Sequence, residues 1–69
     1  MPLTMADVGV PVHIKRIGGN TEVKQFLENL GFTVGTLITV VNAISGNVIV
    51  QVKESRIAIS KEMANKIRV

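Results

Sequence analysis

The residues able to do chemistry are few and far apart. His13 is the only histidine and the chain has no cysteine. No disulfide, zinc-thiolate or iron–sulfur site can therefore form, and a multi-histidine metal site within one chain is excluded. The carboxylates are Asp7, Glu22, Glu28, Glu54 and Glu62. Paired carboxylates serve general acid–base work, and converging ones ligate divalent cations; these fall on different segments, with no pair at a spacing that brings them to one point. His13 lies beside Lys15 on the polar phase of an alternating segment and reads as a surface histidine. Gly18-Gly19-Asn20-Thr21 could present backbone amides to an anion, but it lacks the Lys-Ser/Thr that completes a phosphate loop and reads as a structural turn. No serine has a histidine and an acid in a triad-like setting. The chain is expected to be no enzyme, to carry no cofactor and to hold no metal site of its own.

Charge offers a second route to function. Eight Lys and Arg against five Asp and Glu give a net charge of +3. Small barrels do bind RNA, so a small basic RNA-binding barrel is the competing reading. The basic residues are dispersed along the chain, however, and it has no Tyr or Trp on which bases could stack. Nucleic acid is not the expected partner.

These residues must be positioned by a small core. At 69 residues the chain fits a single domain, residues 1–69, that buries about 60% of its unfolded surface. Val and Ile supply 19 of those residues and Phe26 and Phe32 are the only aromatics. Mean hydropathy is +0.38, yet polar residues interrupt every apolar run well short of the roughly 20 residues a membrane helix needs. The segment Met1–Asp7 has neither a basic region nor an apolar block, so it is not read as a signal peptide. The chain is expected to be cytoplasmic.

Along the chain, Leu3 and Val8 are expected to pack, with Asp7-Val8-Gly9 forming a turn. Val10, Val12 and Ile14 alternate with polar residues, which predicts one strand over 10–17, bent near Arg16 where Ile17 falls out of phase. Asn20 is a suitable helix N-cap. Val23, Phe26, Leu27 and Leu30 then recur at helical spacing, with Phe26 and Leu27 in the core and Lys24, Gln25, Glu28 and Asn29 on a solvent face. Gly31 ends the helix in the left-handed conformation, with Phe32 packing back on Leu27. Strands follow at 36–43 and 48–53 around Ser45-Gly46-Asn47, then at 56–59 after a turn at Glu54-Ser55. Ser60 caps one helical turn, Lys61–Ala64, and Ile67–Val69 closes the sheet. Met1, Met5 and Met63 read as core filler. The order predicts a mostly β protein: a small, partly open barrel of about five strands with one inserted helix and a short C-terminal helical turn.

Leu27-Glu28-Asn29-Leu30-Gly31-Phe32-Thr33-Val34-Gly35, followed by a valine-rich hairpin, resembles the FeoA family of bacterial ferrous iron uptake. Arg56-Ile57-Ala58-Ile59, then Ala64 and Ile67, is similar to that family's closing segment, and Leu3-Thr4 and Gly9 to its lead-in. Val8 and Val34 stand where the family commonly has proline before glycine. The resemblance implies an SH3-like barrel working beside FeoB, a membrane GTPase transporter, with membrane contact only through that partner and no intrinsic iron site. It also implies an accessory module that tunes the transporter's assembly or nucleotide cycle. Exposed strand edges and the apolar excess leave room for a homo-oligomer. The expected partner-binding residues are Leu30, Gly31, Phe32, Gly35 and Arg56: an apolar helix end, two glycines that admit a close backbone approach, and a basic rim.

Overall fold

The computed structural model describes residues 1–69. A 3-10 turn at Leu3–Met5 leads into two very short strands, β1 (Val12–His13) and β2 (Arg16–Ile17). Helix α1 (Thr21–Asn29), strands β3 (Leu37–Ile44), β4 (Asn47–Val52) and β5 (Ser55–Ser60), helix α2 (Lys61–Ala64) and strand β6 (Ile67–Arg68) follow. The antiparallel strands form a four-stranded sheet, β1-β3-β4-β5, and a two-stranded ladder, β2-β6. This is the mostly β, partly open barrel that the element order predicts.

The strand expected over 10–17 is two strands, because the chain changes partner partway. At Ile14 the hydrogen bonds still serve the β3 side: its N–H donates to Thr36 O at 2.9 Å and its C=O accepts from Gly35 N at 2.7 Å. At Lys15 the N–H turns away and donates to Arg68 O at 2.8 Å. One bent segment thus belongs to both sheets and closes the barrel. The chain termini reinforce that closure, since Val69 N–H donates to Met1 O at 2.8 Å and the Met1 ammonium donates to Val69 O at 3.0 Å.

The core is apolar throughout and contains no buried polar residue. Val48, Val50 and Val52 point inward from β4, Ile38 and Val40 from β3, and Ile59 from β5. A register shift between Val40 and Asn42 marks a bulge at Val41, which resets the alternation toward the hairpin. The hairpin turn places Ser45 and Gly46 at φ 38° and 83°, the paired positive dihedrals of a type I′ turn. The next turn falls at Lys53-Glu54, one residue earlier than expected, with Lys53 at φ 54°.

Three expectations about packing are corrected. Val8 is 61% exposed, because it rides the tip of the turn Asp7–Val10, closed by Val10 N–H to Asp7 O at 3.3 Å. Met1 and Met5 are exposed, because the 3-10 turn spends its single inward position on Leu3, while Met63 is half-buried and packs against the core as expected. Phe26 is 50% exposed rather than core, for a reason that lies in the helix.

Candidate protein-docking surface

Helix α1 is defined at both ends by its own sequence. The Asn20 side chain accepts from Val23 N at 2.9 Å, satisfying one of the amides that a helix start leaves free. At the other end Phe32 N–H donates to Leu27 O and Gly31 N–H to Glu28 O, both at 2.9 Å. That pair of bonds is the Schellman motif. It needs Gly31 at φ 101°, a conformation costly for any residue with a Cβ. A Cβ there would also meet Val52 Cγ1 at 3.3 Å. The C-terminal end of α1 therefore rests beside the end of β4. Its N-terminal end lies near Lys66, whose Cδ is 3.7 Å from the Cβ position of Gly19.

At 100° per residue, this anchoring gives α1 one buried arc and two flanks. Leu27 is fully buried, with Val23 and Leu30 partly buried against the core. Phe26 and Leu30, one turn apart, form an apolar flank. Lys24 and Glu28, also one turn apart, form a charged flank. The buried arc is centred on Leu27, so Phe26, a full 100° away, cannot share it. Lys24 and Glu28 are exposed, as expected. They line a cleft of about 470 Å³ whose other walls include Lys15, Arg16, Ile17 and Val34.

The five expected partner-binding residues are only partly gathered. Leu30 is half-buried, and Gly31 sits against Val52. Arg56 is the second residue of β5, opposite Gln51. Its Nε donates to Gln51 Oε1 at 3.0 Å, and Gln51 Nε2 donates in turn to Lys53 O at 2.9 Å. Arg56 thus braces the β4–β5 turn while remaining exposed. Phe32 is fully buried and is corrected from docking residue to core, since it is the apolar contact that closes the Schellman turn. Gly35 lies apart, in the turn Thr33–Thr36, where Thr36 N–H donates to Thr33 O at 3.0 Å. Its φ of 92° meets the demand of a type II turn for a positive φ at the third residue. The same turn pushes Val34 outward, leaving it 67% exposed.

The cations are arranged as no reading of the linear order suggests. Lys15, Arg16 and Lys24 line the cleft beside α1. Arg16 also lines a second cleft with Lys66 and Arg68. Five of the eight Lys and Arg residues therefore flank two clefts that share Arg16 as a wall, although they are dispersed along the chain. The pairing of β2 with β6 puts Arg16 opposite Arg68. His13 is exposed, against Met1, Val12, Lys15 and Val69. No group of three or more His, Cys, Asp or Glu residues converges as a metal site. No helix is long and apolar enough to cross a membrane.

The FeoA domain family model matches residues 1–69. The chain belongs to the FeoA family. It is 35% identical over 68 residues to the Methanocaldococcus jannaschii protein described as Fe(2+) transport protein A, covering 99% of this chain and 83% of that one. The crystal structure of an iron uptake regulatory protein (FeoA) superposes with a TM-score of 0.88 at 28% identity, over 97% of this chain and 91% of the other. The zinc-complexed FeoA of Stenotrophomonas maltophilia, described as a prokaryotic SH3 domain protein, superposes with a TM-score of 0.84 over 99% of this chain and 87% of that one. At 20% identity that last likeness speaks to fold, and the fold is SH3-like. The FeoA assignment makes this chain an accessory protein of ferrous iron transport.

Proposed function

We propose that this FeoA-family chain is a non-enzymatic protein-interaction module. It docks on the cytoplasmic side of a FeoB-type GTPase transporter and tunes that transporter's assembly or nucleotide cycle; ferrous iron is the transporter's cargo and is not held by this chain. The observation that carries the reading is the apolar flank of α1. Phe26 is half exposed on a helix whose ends are both tied down, so an aromatic ring is held in water by a rigid element. Aromatic side chains, Phe among them, are enriched at the cores of protein interfaces. Leu30 and Gly31 extend the flank toward Val52 at the end of β4, whereas Arg56, paired with Gln51 on the outward face of the sheet, stands apart from it. Phe32 and Gly35 act from behind, holding the helix end and the following loop in shape.

The test is calorimetric titration of the chain into the transporter's isolated cytoplasmic GTPase domain, with GTP turnover followed in parallel. Phe26→Ser is expected to weaken binding at least tenfold with no loss of thermal stability, and Leu30→Ala to weaken it less. Lys61→Ala, on the distant α2, leaves binding unchanged. Wild-type binding that neither Phe26→Ser nor Leu30→Ala alters would move the docking surface elsewhere. No binding at all would sink the reading.

A further inference from the structure

Strands β2 and β6 place two arginines face to face. Arg16 and Arg68 are direct cross-strand partners, and both are exposed. Like charges opposite one another weaken a ladder, yet here they occupy one of its two rungs. Lys66 joins them at the wall of a cleft of about 300 Å³ that has no hydrophobic lining. None of the three makes a side-chain hydrogen bond, whereas Arg56 elsewhere on the surface does. Three cations with free donors around one polar hollow complement acidic groups in charge, and a guanidinium fork matches a carboxylate in shape.

The neighbouring cleft completes the surface. Arg16 lines both hollows. On the far side of Arg16 the walls become mixed, with Ile17 and Val34 beside Lys15, Lys24 and the single carboxylate Glu28. A ligand crossing Arg16 therefore meets cations at one end and, at the other, a mixed wall in which Ile17 and Val34 offer an apolar patch. A flat lipid surface would reach only the protruding side chains and leave these hollows unused. A single-stranded nucleic acid needs exposed aromatics to stack on, and Phe32, the aromatic ring in this wall, is fully buried.

We infer that the two clefts on either side of Arg16 bind an extended acidic peptide segment of a protein partner. Its carboxylates lie on Arg16, Lys66 and Arg68, and an apolar side chain seats against Ile17 and Val34. This surface lies on the charged flank of α1, away from Phe26, and the inference stands whether or not the apolar flank meets the transporter.

The probe is a fluorescein-labelled nonapeptide of Asp and Glu with one central Leu, followed by polarisation and by amide shifts of the labelled protein. Binding is expected to perturb residues 15–19 and 65–68, to fall at least tenfold in Arg16→Gln/Arg68→Gln, and to weaken steadily with salt. Replacing the peptide's Leu with Ser is expected to weaken it about threefold, and the Asn/Gln version of the peptide should not bind. Lys66→Gln is a second variant, outside the ladder, expected to weaken binding by itself with the fold intact. Binding that survives both variants, or shifts confined to other residues, overturns the inference. So does binding of phosphatidylglycerol vesicles or oligo-uridine, rather than the peptide, with loss on the same substitutions.

Discussion

The meander β3–β4–β5 and the ladder β2–β6 are both antiparallel, and they are built on opposite terms. The meander joins strands by tight turns at Ser45-Gly46 and Lys53-Glu54, and its inward positions are filled by Ile38, Val40, Val48, Val50, Val52 and Ile59. Its pairings are short-range, so little loop-closure entropy opposes them. The ladder has two residues per strand, drawn from near opposite ends of the chain, and sets Arg16 against Arg68. Ile17 and Ile67 supply its apolar rung and the chain termini help to hold it. The meander supplies cohesion; the ladder closes the barrel while gathering charge at a point where charge weakens the pairing. Residues that oppose local stability mark the part of the surface where binding is the better explanation.

The contrast is sharpened first by Ile38→Ala. Ile38 is buried near the start of β3, opposite Val52 at the end of β4, and the substitution is expected to cost about 2–5 kcal/mol, enough to leave so small a domain largely unfolded. Urea unfolding measures it, and a loss well under 1 kcal/mol would mean that the meander is not the cohesive unit. Next comes Val34→Pro, in the loop between the two regions. Val34 precedes Gly35 at the second position of the type II turn, where proline's fixed φ fits, and no backbone hydrogen bond uses its N–H. Stability should rise by about 0.4–1 kcal/mol, because the unfolded chain loses freedom. A fall would mean that the loop needs a conformation that proline denies. Arg68→Gln has the smallest effect and the opposite sign to a core change. Removing one of the facing charges is expected to raise stability by about 0.2–1 kcal/mol, more in low salt than in high. If Arg68→Gln destabilises at every salt concentration, the facing arginines hold the ladder rather than oppose it.

Legibility in the sequence followed the range of the interactions. Asn20 at the helix start, Gly31 and Phe32 at its end and Ser60 before α2 each act on backbone within a few residues, and each bonds as its type and place imply. The alternation of Val48, Val50 and Val52 was equally local, since a strand's faces follow from period two. Phe26 is half exposed rather than core because four apolar residues at helical spacing say which side of a helix is apolar but not how wide a strip the neighbours will cover. Phe32 departs in the other direction. A ring that closes a cap is read from sequence as near the surface, and only packing drew it fully inside.

What the sequence by itself determined is the inventory and the local rules. It excluded cysteine chemistry and multi-histidine metal binding, set the helix and its caps, placed the hairpins, and carried the pattern of the FeoA family from Leu3 to Ile67. What only the tertiary structure decided is which distant residues meet. The chain between 10 and 17 changes partner from β3 to β6 because Lys15 N–H finds Arg68 O. That one exchange breaks a strand in two, opposes Arg16 to Arg68 and turns cations scattered along the chain into one lined surface. Its physical reason is that closing a barrel satisfies backbone groups by pairing segments far apart in sequence, and no local pattern records which pairs those will be.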